Sequence, residues 1–319
     1  MRVGGPVMND SSGGLPQNAS LKFRDEKVEP KLRHAAERAV ATMVSRSTTA
    51  VARRRAAEAE LTKLTDAIEA PIAKLIHNDP ESVRALEVLR KSPLFEPEDI
   101  GKLTPNAFRA RRNDLVSTRD LPGGVSILVT AKPPFRFTWW WFQGDPPAQG
   151  FSDHDGYIGM DARSGSVPGG ASGFVSYHTG VGIDVGASST ESTMYAWSLI
   201  EQARYHCGAR SIGLGGNATV EVGVELTVVD DTGVAVVSRP WTWDRIRVSG
   251  TETTLRQQGP LHMGIPPDLP ELVTWTTQPG RDYTVNVGMW AFTDRSTGAG
   301  VAAAQAVLEG IVTNIWMAF

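Results

Sequence analysis

Cysteine is almost absent from this chain of 319 residues, which has only Cys207. One thiol can form no bridge within the chain and cannot supply the ligands of a four-cysteine zinc or iron–sulfur site. Long apolar runs are missing too: no stretch reaches the roughly 18 apolar residues that a membrane helix needs, and residues 1–20 carry no signal-peptide core. We therefore expect a soluble protein without disulfides or a transmembrane segment, cytoplasmic at synthesis.

Aromatic residues and glycine are scarce in residues 1–120, which hold three aromatic residues, no tryptophan and five of the 32 glycines. Charge divides at the same place, with 21 Lys and Arg against 17 Asp and Glu in this part and 11 against 18 beyond it. The sequence therefore predicts a domain boundary near residue 120. The formal net charge of −3 is too small to indicate a specific nucleic-acid partner.

The part before this boundary is predicted to have two regions. Residues 1–22 are rich in glycine and serine and lack apolar periodicity, so we expect a disordered arm. Residues 23–116 are predicted to form an α-helical module of three or four helices, in which a short basic helix opens at Thr104. The basic clusters Arg53–Arg55 and Arg109–Arg112 are typical of a solvated helix face or of salt bridges across a helical interface.

One long helix dominates the helical module. From Pro30 to about Ala70 its apolar residues recur every three or four positions, as on one face of a helix. Pro71 is expected to kink or restart it, and Asp79 with Pro80 begins a second helix. The apolar stripe needs a partner, which we expect to be another helix of this chain or of a second copy.

Residues 120–319 are predicted to form an antiparallel β-sandwich, jelly-roll-like, because short glycine-punctuated strands follow one another without crossover helices. In the clearest strand, 219–229, valines and a leucine face one way while Glu221 and Glu225 face the other. Residues 231–233 turn this strand into a hairpin. Further strands are predicted at 125–130, 135–142, 173–185, 195–207, 283–292 and 311–317, whereas 301–308 fits either a helix or a strand. The fold class is α+β in two parts.

Three consecutive tryptophans, Trp139, Trp140 and Trp141, are candidates for ligand binding. On a strand they put rings on both faces, and an exposed ring can stack on a sugar or dock a partner protein. The alternative is that all three pack in the core between sheets. The sequence leaves both interpretations open.

An acidic string supplies the candidate metal site. Asp153, Asp155 and Asp161 surround a glycine turn, and their carboxylates are hard oxygen ligands that suit calcium. The positions of an EF-hand that should hold an oxygen ligand and the final glutamate hold Tyr157 and Ser164 instead. A polar turn whose aspartates cap the backbone explains the same residues.

Catalytic motifs are missing. The six histidines include no HExxH pair, no glycine string has the features of a phosphate-binding loop, and no GxSxG elbow occurs. His206 and Cys207 are adjacent, but neighbours on a strand point to opposite faces and cannot form a hydrogen-bonded catalytic pair. No catalytic residue is therefore assigned, and enzyme activity is undecided but not favoured.

The function that these observations favour is non-catalytic: a structural, assembly or binding protein whose helices mediate self-association or entry into a larger complex while the β-sandwich presents a binding surface. The first alternative is a carbohydrate-binding module with a tryptophan platform and a calcium loop, with glycan as partner. The second is a hydrolase, with acids from separate strands converging in a cleft, or a toxin on a β-sandwich scaffold. No cofactor is expected apart from that calcium ion.

Overall fold

The computed structural model describes residues 15–91, 94, 127–144, 148–164, 172–213, 216–265, 273–296 and 300–318. Within them the helices are α1 (Pro30–His77) and α2 (Pro80–Lys91). The strands are β1 (Ala19–Phe23), β2 (Ile127–Ala131), β3 (Phe137–Gly144), β4 (Ala148–Ser152), β5 (Tyr157–Ser164), β6 (Ser172–Val185), β7 (Thr193–Ile212), β8 (Asn217–Asp230), β9 (Ala235–Ser249), β10 (Glu252–Ile265), β11 (Val273–Thr276), β12 (Tyr283–Ser296) and β13 (Val301–Ala318).

The strands form two antiparallel sheets. The first sheet has the order β1-β3-β6-β12-β8-β9, and the second has the order β10-β7-β13-β5-β4, with β11 pairing with β7 and β2 pairing with β13. The main apolar core lies between them and draws side chains from both sheets. The prediction of a mainly antiparallel β fold after a helical N-terminal region is confirmed.

Strand β8 has the alternation that the sequence predicts. Five apolar side chains on one face, from Val220 to Val228, are fully buried between the sheets. The hairpin into β9 is present as well, because the carboxylate of Asp230 accepts hydrogen bonds from the backbone N–H groups of Thr232 and Val234, at 3.0 and 2.8 Å. The opposite face of β8 carries Glu221 and Glu225 on the outer side of the first sheet.

Helix α1 covers that outer side. Its buried residues Ala36, Val40, Met43 and Val44 pack against an aromatic row on β3 formed by Phe137, Trp139 and Trp141. The partner of the apolar stripe is therefore a sheet of the same chain, and the expectation of a second helix is wrong for this part of α1. The physical reason lies in β3, which is apolar on both faces and so needs a cover on each.

Three local expectations compare with the structure as follows. Asp79 caps α2 as predicted, accepting a hydrogen bond from the Ser82 N–H at 3.1 Å. Helix α1 continues through Pro71, because the exposed proline removes one backbone donor at a place where water can bond to the freed carbonyl. Residues 301–308 form a strand continuous with 311–317 in β13.

Part of the predicted disordered arm is ordered. Ala19–Phe23 forms β1, which pairs with β3 and so satisfies the backbone groups at that edge of the first sheet. The first 14 residues of the arm, the helix predicted to begin at Thr104, the cluster at residues 109–112 and residues 125–126 lie outside the described residues. Within the described part of the chain, neither helix is long and apolar enough to cross a membrane.

Candidate functional site

A pocket of about 450 Å³ lies between α1 and the outer face of the first sheet. Side chains of α1 form its roof, strands β6, β8 and β12 form its floor, and the edge strand β9 forms one side. The lining residues Arg46 and Ala50 of α1 and Pro240 and Thr242 of β9 are exposed. The pocket therefore opens to solvent between the helix and β9.

Three buried polar side chains form a hydrogen-bonded row on the pocket floor. His178 Nδ1 lies 2.6 Å from Glu225 Oε1, and His178 Nε2 lies 3.3 Å from Ser176 Oγ. All three residues are less than 10% exposed and line the pocket. Burying a carboxylate is costly unless it is paired, so His178 is the group that makes a buried Glu225 tolerable.

The row spans three neighbouring strands. Ser176 and His178 are two residues apart on β6 and so share its outer face, while Glu225 is on β8, with β12 between them. The imidazole of His178 is stacked on the indole of Trp141, its register partner on β3, with ring centroids 3.7 Å apart. This stacking fixes the plane of the imidazole and leaves both of its nitrogens directed at hydrogen-bond partners.

Trp290 of β12 lies on the other side of His178, with ring centroids 6.4 Å apart. Its ring extends over Gly223 of β8, where an added Cβ would come within 2.8 Å of indole atoms. The indole N–H donates to the Val224 carbonyl at 3.1 Å, which holds the ring flat on the sheet. The glycine therefore lets an aromatic wall form beside the polar row.

Arginines of α1 tie the helix to the sheet at the pocket. Arg54 Nη1 lies 2.6 Å from Glu221 Oε2, and its guanidinium lies 4.2 Å from the ring centroid of Phe292. The other oxygen of Glu221 lies 2.8 Å from Arg245 Nε of β9. One carboxylate thus bridges two arginines from different elements. Arg55 also reaches the sheet, 4.4 Å from the ring centroid of Phe174, so the cluster Arg53–Arg55 is not wholly a solvated face.

The tryptophans predicted to bind a ligand lie mostly beneath α1. Trp139 and Trp141 are fully buried there, whereas Trp140 is partly buried and packs against the core between the sheets. Neither face of the Trp139 ring or of the Trp141 ring is open to a sugar while α1 is in place. Core packing is the role that their environment supports, and the glycan role stays a prediction.

The candidate calcium ligands have other partners. Asp153 Oδ1 accepts a hydrogen bond from the Tyr157 N–H at 3.0 Å, as a turn-capping aspartate does, and Asp155 is in the same turn. Both carboxylate oxygens of Asp161 lie 2.9 Å from Arg163 Nε. Among the described residues, no three His, Cys, Asp or Glu side chains are grouped as metal ligands.

Cys207 lies in the core between the sheets, and burial raises the pKa of its thiol to about 12. A thiol with so high a pKa is protonated at neutral pH and is a poor nucleophile. His206, the next residue of β7, is only partly buried. The expectation that these neighbours point to different faces agrees with their difference in burial.

No motif in the sequence marks Ser176, His178 and Glu225 as a site. The pattern Ser-x-His on a strand puts both side chains on one face, and Glu225 was recognised on the polar face of its own strand. Their pairing depends on which strands lie beside β12, and no local spacing encodes that order. The hypothesis of acids converging from separate strands differs from this row, which holds one carboxylate, and that hypothesis stays a prediction.

No protein-family model and no curated protein matches the chain. Among solved structures, two similar chains are those of the Gx and Gt strains of infectious bursal disease virus, at 10% and 12% identity and a TM-score of 0.14 each. The matches cover 56% and 64% of this chain but 40% and 43% of the viral chains, so this chain spans less than half of their length. At these TM-scores the comparison does not establish a shared fold.

Proposed function

We propose that this chain is a binding protein that holds a small molecule in the pocket between α1 and the first sheet. The observation that supports the proposal is the pocket itself, because its volume of about 450 Å³ falls in the range of small-molecule sites. It also combines an apolar wall with a few convergent polar groups, which is the usual composition of such sites.

The lining indicates the chemistry of the ligand. Trp290 and Phe292 offer aromatic surface, Ser176 and His178 offer hydrogen-bonding groups, and the exposed Arg46 stands at the opening. A compact molecule with an aromatic or aliphatic body and a polar or anionic end fits this combination. The ligand is therefore small, in contrast to an extended glycan chain.

The test uses 1-anilinonaphthalene-8-sulfonate, an aromatic anion that fluoresces in an apolar site. Ala50→Trp would fill the pocket from the exposed side of α1, whereas Ala52→Trp adds the same side chain at an exposed position that does not line the pocket. We expect saturable binding to the native protein and to Ala52→Trp, and at least tenfold weaker binding to Ala50→Trp. Equal binding by the two variants would contradict the proposal.

We propose further that the two sheets form a jelly roll. Strands β5 and β7 lie in the second sheet, and β6 and β8 lie in the first. The chain then adds β9 to the first sheet and β10 to the second. Finally, β12 enters the middle of the first sheet and β13 enters the middle of the second. The resulting four-strand orders, β6-β12-β8-β9 and β10-β7-β13-β5, are those of eight strands in two Greek keys. The division of the chain into a helical module and a separate β domain also remains a prediction.

Self-association, or assembly into a larger complex, is the second candidate function. It is supported by one exposed apolar side chain on each helix, Leu75 of α1 and Val88 of α2, which are 70% and 65% exposed. Replacing both by glutamate should convert an oligomer to a monomer in light scattering coupled to size exclusion. Val234→Glu, at a comparably exposed position on the β8–β9 hairpin, should leave the mass unchanged. A native protein that is monomeric at all concentrations contradicts this candidate.

A further inference from the structure

We propose that Ser176, His178 and Glu225 form an acyl-transfer site and that the pocket hydrolyses small carboxylic esters. The inference rests on the proposed function, because an ester must first bind in the same pocket. It adds a reaction, a nucleophile and a class of substrate to that function.

The hydrogen bonds give each side chain a distinct role. An ionised carboxylate only accepts, so His178 Nδ1 donates to Glu225 Oε1 across their 2.6 Å separation. In the neutral imidazole with its proton on Nδ1, the tautomer that the reaction requires, Nε2 accepts from the Ser176 hydroxyl at 3.3 Å. A nucleophile that contacts a base, which is in turn oriented by a carboxylate, is the arrangement that activates serine in hydrolases on unrelated folds.

Each step balances with water as the only co-reactant. Ser176 Oγ bonds to the ester carbonyl carbon while its proton passes to His178 Nε2. The tetrahedral intermediate then loses the alcohol, which takes that proton, and the acyl group stays on Ser176. Water attacks the acyl carbon, gives one proton to His178 and displaces Ser176 Oγ, which recovers that proton. The products are one carboxylic acid and one alcohol.

The surroundings of the row suit this chemistry. The aromatic walls of Trp290 and Phe292 exclude water from one side of the floor, and low exposure of the three polar groups strengthens their electrostatic interactions. Glu221 is paired with Arg54 and Arg245, so its negative charge is largely offset. A small uncharged ester with an aromatic alcohol matches the size and the wall of the pocket.

The first measurement is covalent labelling with diisopropyl fluorophosphate, followed by peptide mass spectrometry. We expect one adduct, on Ser176, in the native protein. Ala50→Trp should prevent the adduct by filling the pocket, and Ala52→Trp should allow it. The second measurement is hydrolysis of p-nitrophenyl acetate, for which Ser176→Ala should lower kcat/KM on the order of 100-fold or more.

Two variants separate a catalytic histidine from unspecific imidazole hydrolysis. His178→Ala should abolish both labelling and hydrolysis, whereas His34→Ala removes an exposed imidazole of α1 and should leave both unchanged. Glu225 is a positioning residue, and Glu225→Gln tests that role. The glutamine amide can donate to Nδ1, which favours the tautomer with its proton on Nε2, and that nitrogen then cannot accept from Ser176. We therefore expect slow labelling at every pH from 6 to 9, with the circular dichroism spectrum of a native fold.

The outcomes are distinguishable. If the three side chains only satisfy one another beneath α1, then Ser176→Ala and Glu225→Gln change the Tm but native protein takes no adduct at Ser176, and the inference is overturned. If the fluorescent anion still binds in an Ala50-sensitive manner, the binding proposal stands without the esterase. If neither binding nor labelling depends on the pocket, both proposals fail.

Discussion

The indole ring of Trp139 lies over Gly180 of the neighbouring strand β6, and a Cβ at position 180 would overlap the ring carbon Cζ2 and the Val287 carbonyl. The same indole donates its N–H to the Val181 carbonyl at 3.1 Å. Trp139 can therefore lie flat beneath α1 because position 180, like position 288 of β12 beside the same ring, has no side chain. The surface on which the helix rests depends on this contact.

Gly180→Ala should destabilise the protein by about 1–3 kcal/mol, because the added Cβ overlaps the Val287 carbonyl and the indole, so β12 must shift and the ring must leave its place beneath the helix. Gly186→Ala is the matched control, since an added Cβ there meets nothing within 4 Å. Its effect should stay within about 0.5 kcal/mol. Urea unfolding followed by tryptophan fluorescence measures both, and equal midpoints for the two variants would contradict the packing argument.

The Arg54–Glu221 pair should contribute more than an exposed pair of similar geometry. Its side chains are 24% and 12% exposed, against 39% and 52% for Arg136 and Asp25, whose atoms lie 2.9 Å apart. A double-mutant cycle on Arg54 and Glu221 should give a coupling free energy of about 1–2 kcal/mol that changes little with salt.

The cycle on Arg136 and Asp25 should give about 0–1 kcal/mol and should weaken as salt is added. The comparison isolates the effect of burial beneath α1. Couplings of equal size and equal salt dependence would show that the helix does not shield the first pair.

Asp230 should control the β8–β9 hairpin and, through it, the seating of α1. Its carboxylate accepts hydrogen bonds from the Thr232 hydroxyl and two backbone N–H groups, and Thr42 of α1 donates to the Gly233 carbonyl at 2.6 Å. Asp230→Ala should cost about 1.5–3 kcal/mol. Hydrogen exchange should then speed up in the hairpin and in the facing turn of α1, whereas a change confined to the hairpin would argue against the coupling.

Cys207 should resist alkylation until the protein unfolds. The buried thiol has a pKa of about 12, so at pH 8 it is protonated and out of reach of iodoacetamide. We expect complete labelling in guanidinium chloride and almost none in native protein over the same time. Labelling of native protein at the rate of a free peptide thiol would contradict the burial.

The same pKa predicts how stability depends on alkaline pH. Because the folded-state pKa lies above the unfolded value near 9, the unfolded state releases its proton first, and stability falls as pH rises from about 9 to 12. Cys207→Ala removes this contribution, so its urea midpoint should fall less between pH 8 and pH 10 than that of the native protein. Parallel slopes for the two proteins would contradict the assignment.

Local patterns in the sequence predicted local structure well. The alternation in β8, the hairpin that follows it and the cap of α2 at Asp79 depend only on residues a few positions apart. The apolar residues of β3 lie on both of its faces, and each face needs a cover. They did not reveal the cover, which is a helix from residues about a hundred positions earlier.

The site could not be predicted for the same reason. Ser176 and His178 are close in sequence, but Glu225 reaches His178 only because β12 enters between β6 and β8. The polar face of β8 resembled a face exposed to solvent. The alternation of apolar and polar residues along a strand does not show whether the polar side chains contact water or line a pocket. Likewise, the buried Trp139 and Trp141 resembled an exposed platform because exposure depends on α1, not on the strand.

The seating of α1 also has a consequence for synthesis on the ribosome. Val51 of α1 packs with Trp290 and Phe292 of β12. Because these residues are far apart in the sequence, this part of the helix leaves the ribosome long before the strand that it contacts. At roughly 5–20 residues per second, that interval is on the order of 10–50 seconds, during which Val51 is without the aromatic rings that cover it. Helix α1 is thus made early but is fully packed only when β12, the last strand of the first sheet to be made, is in place.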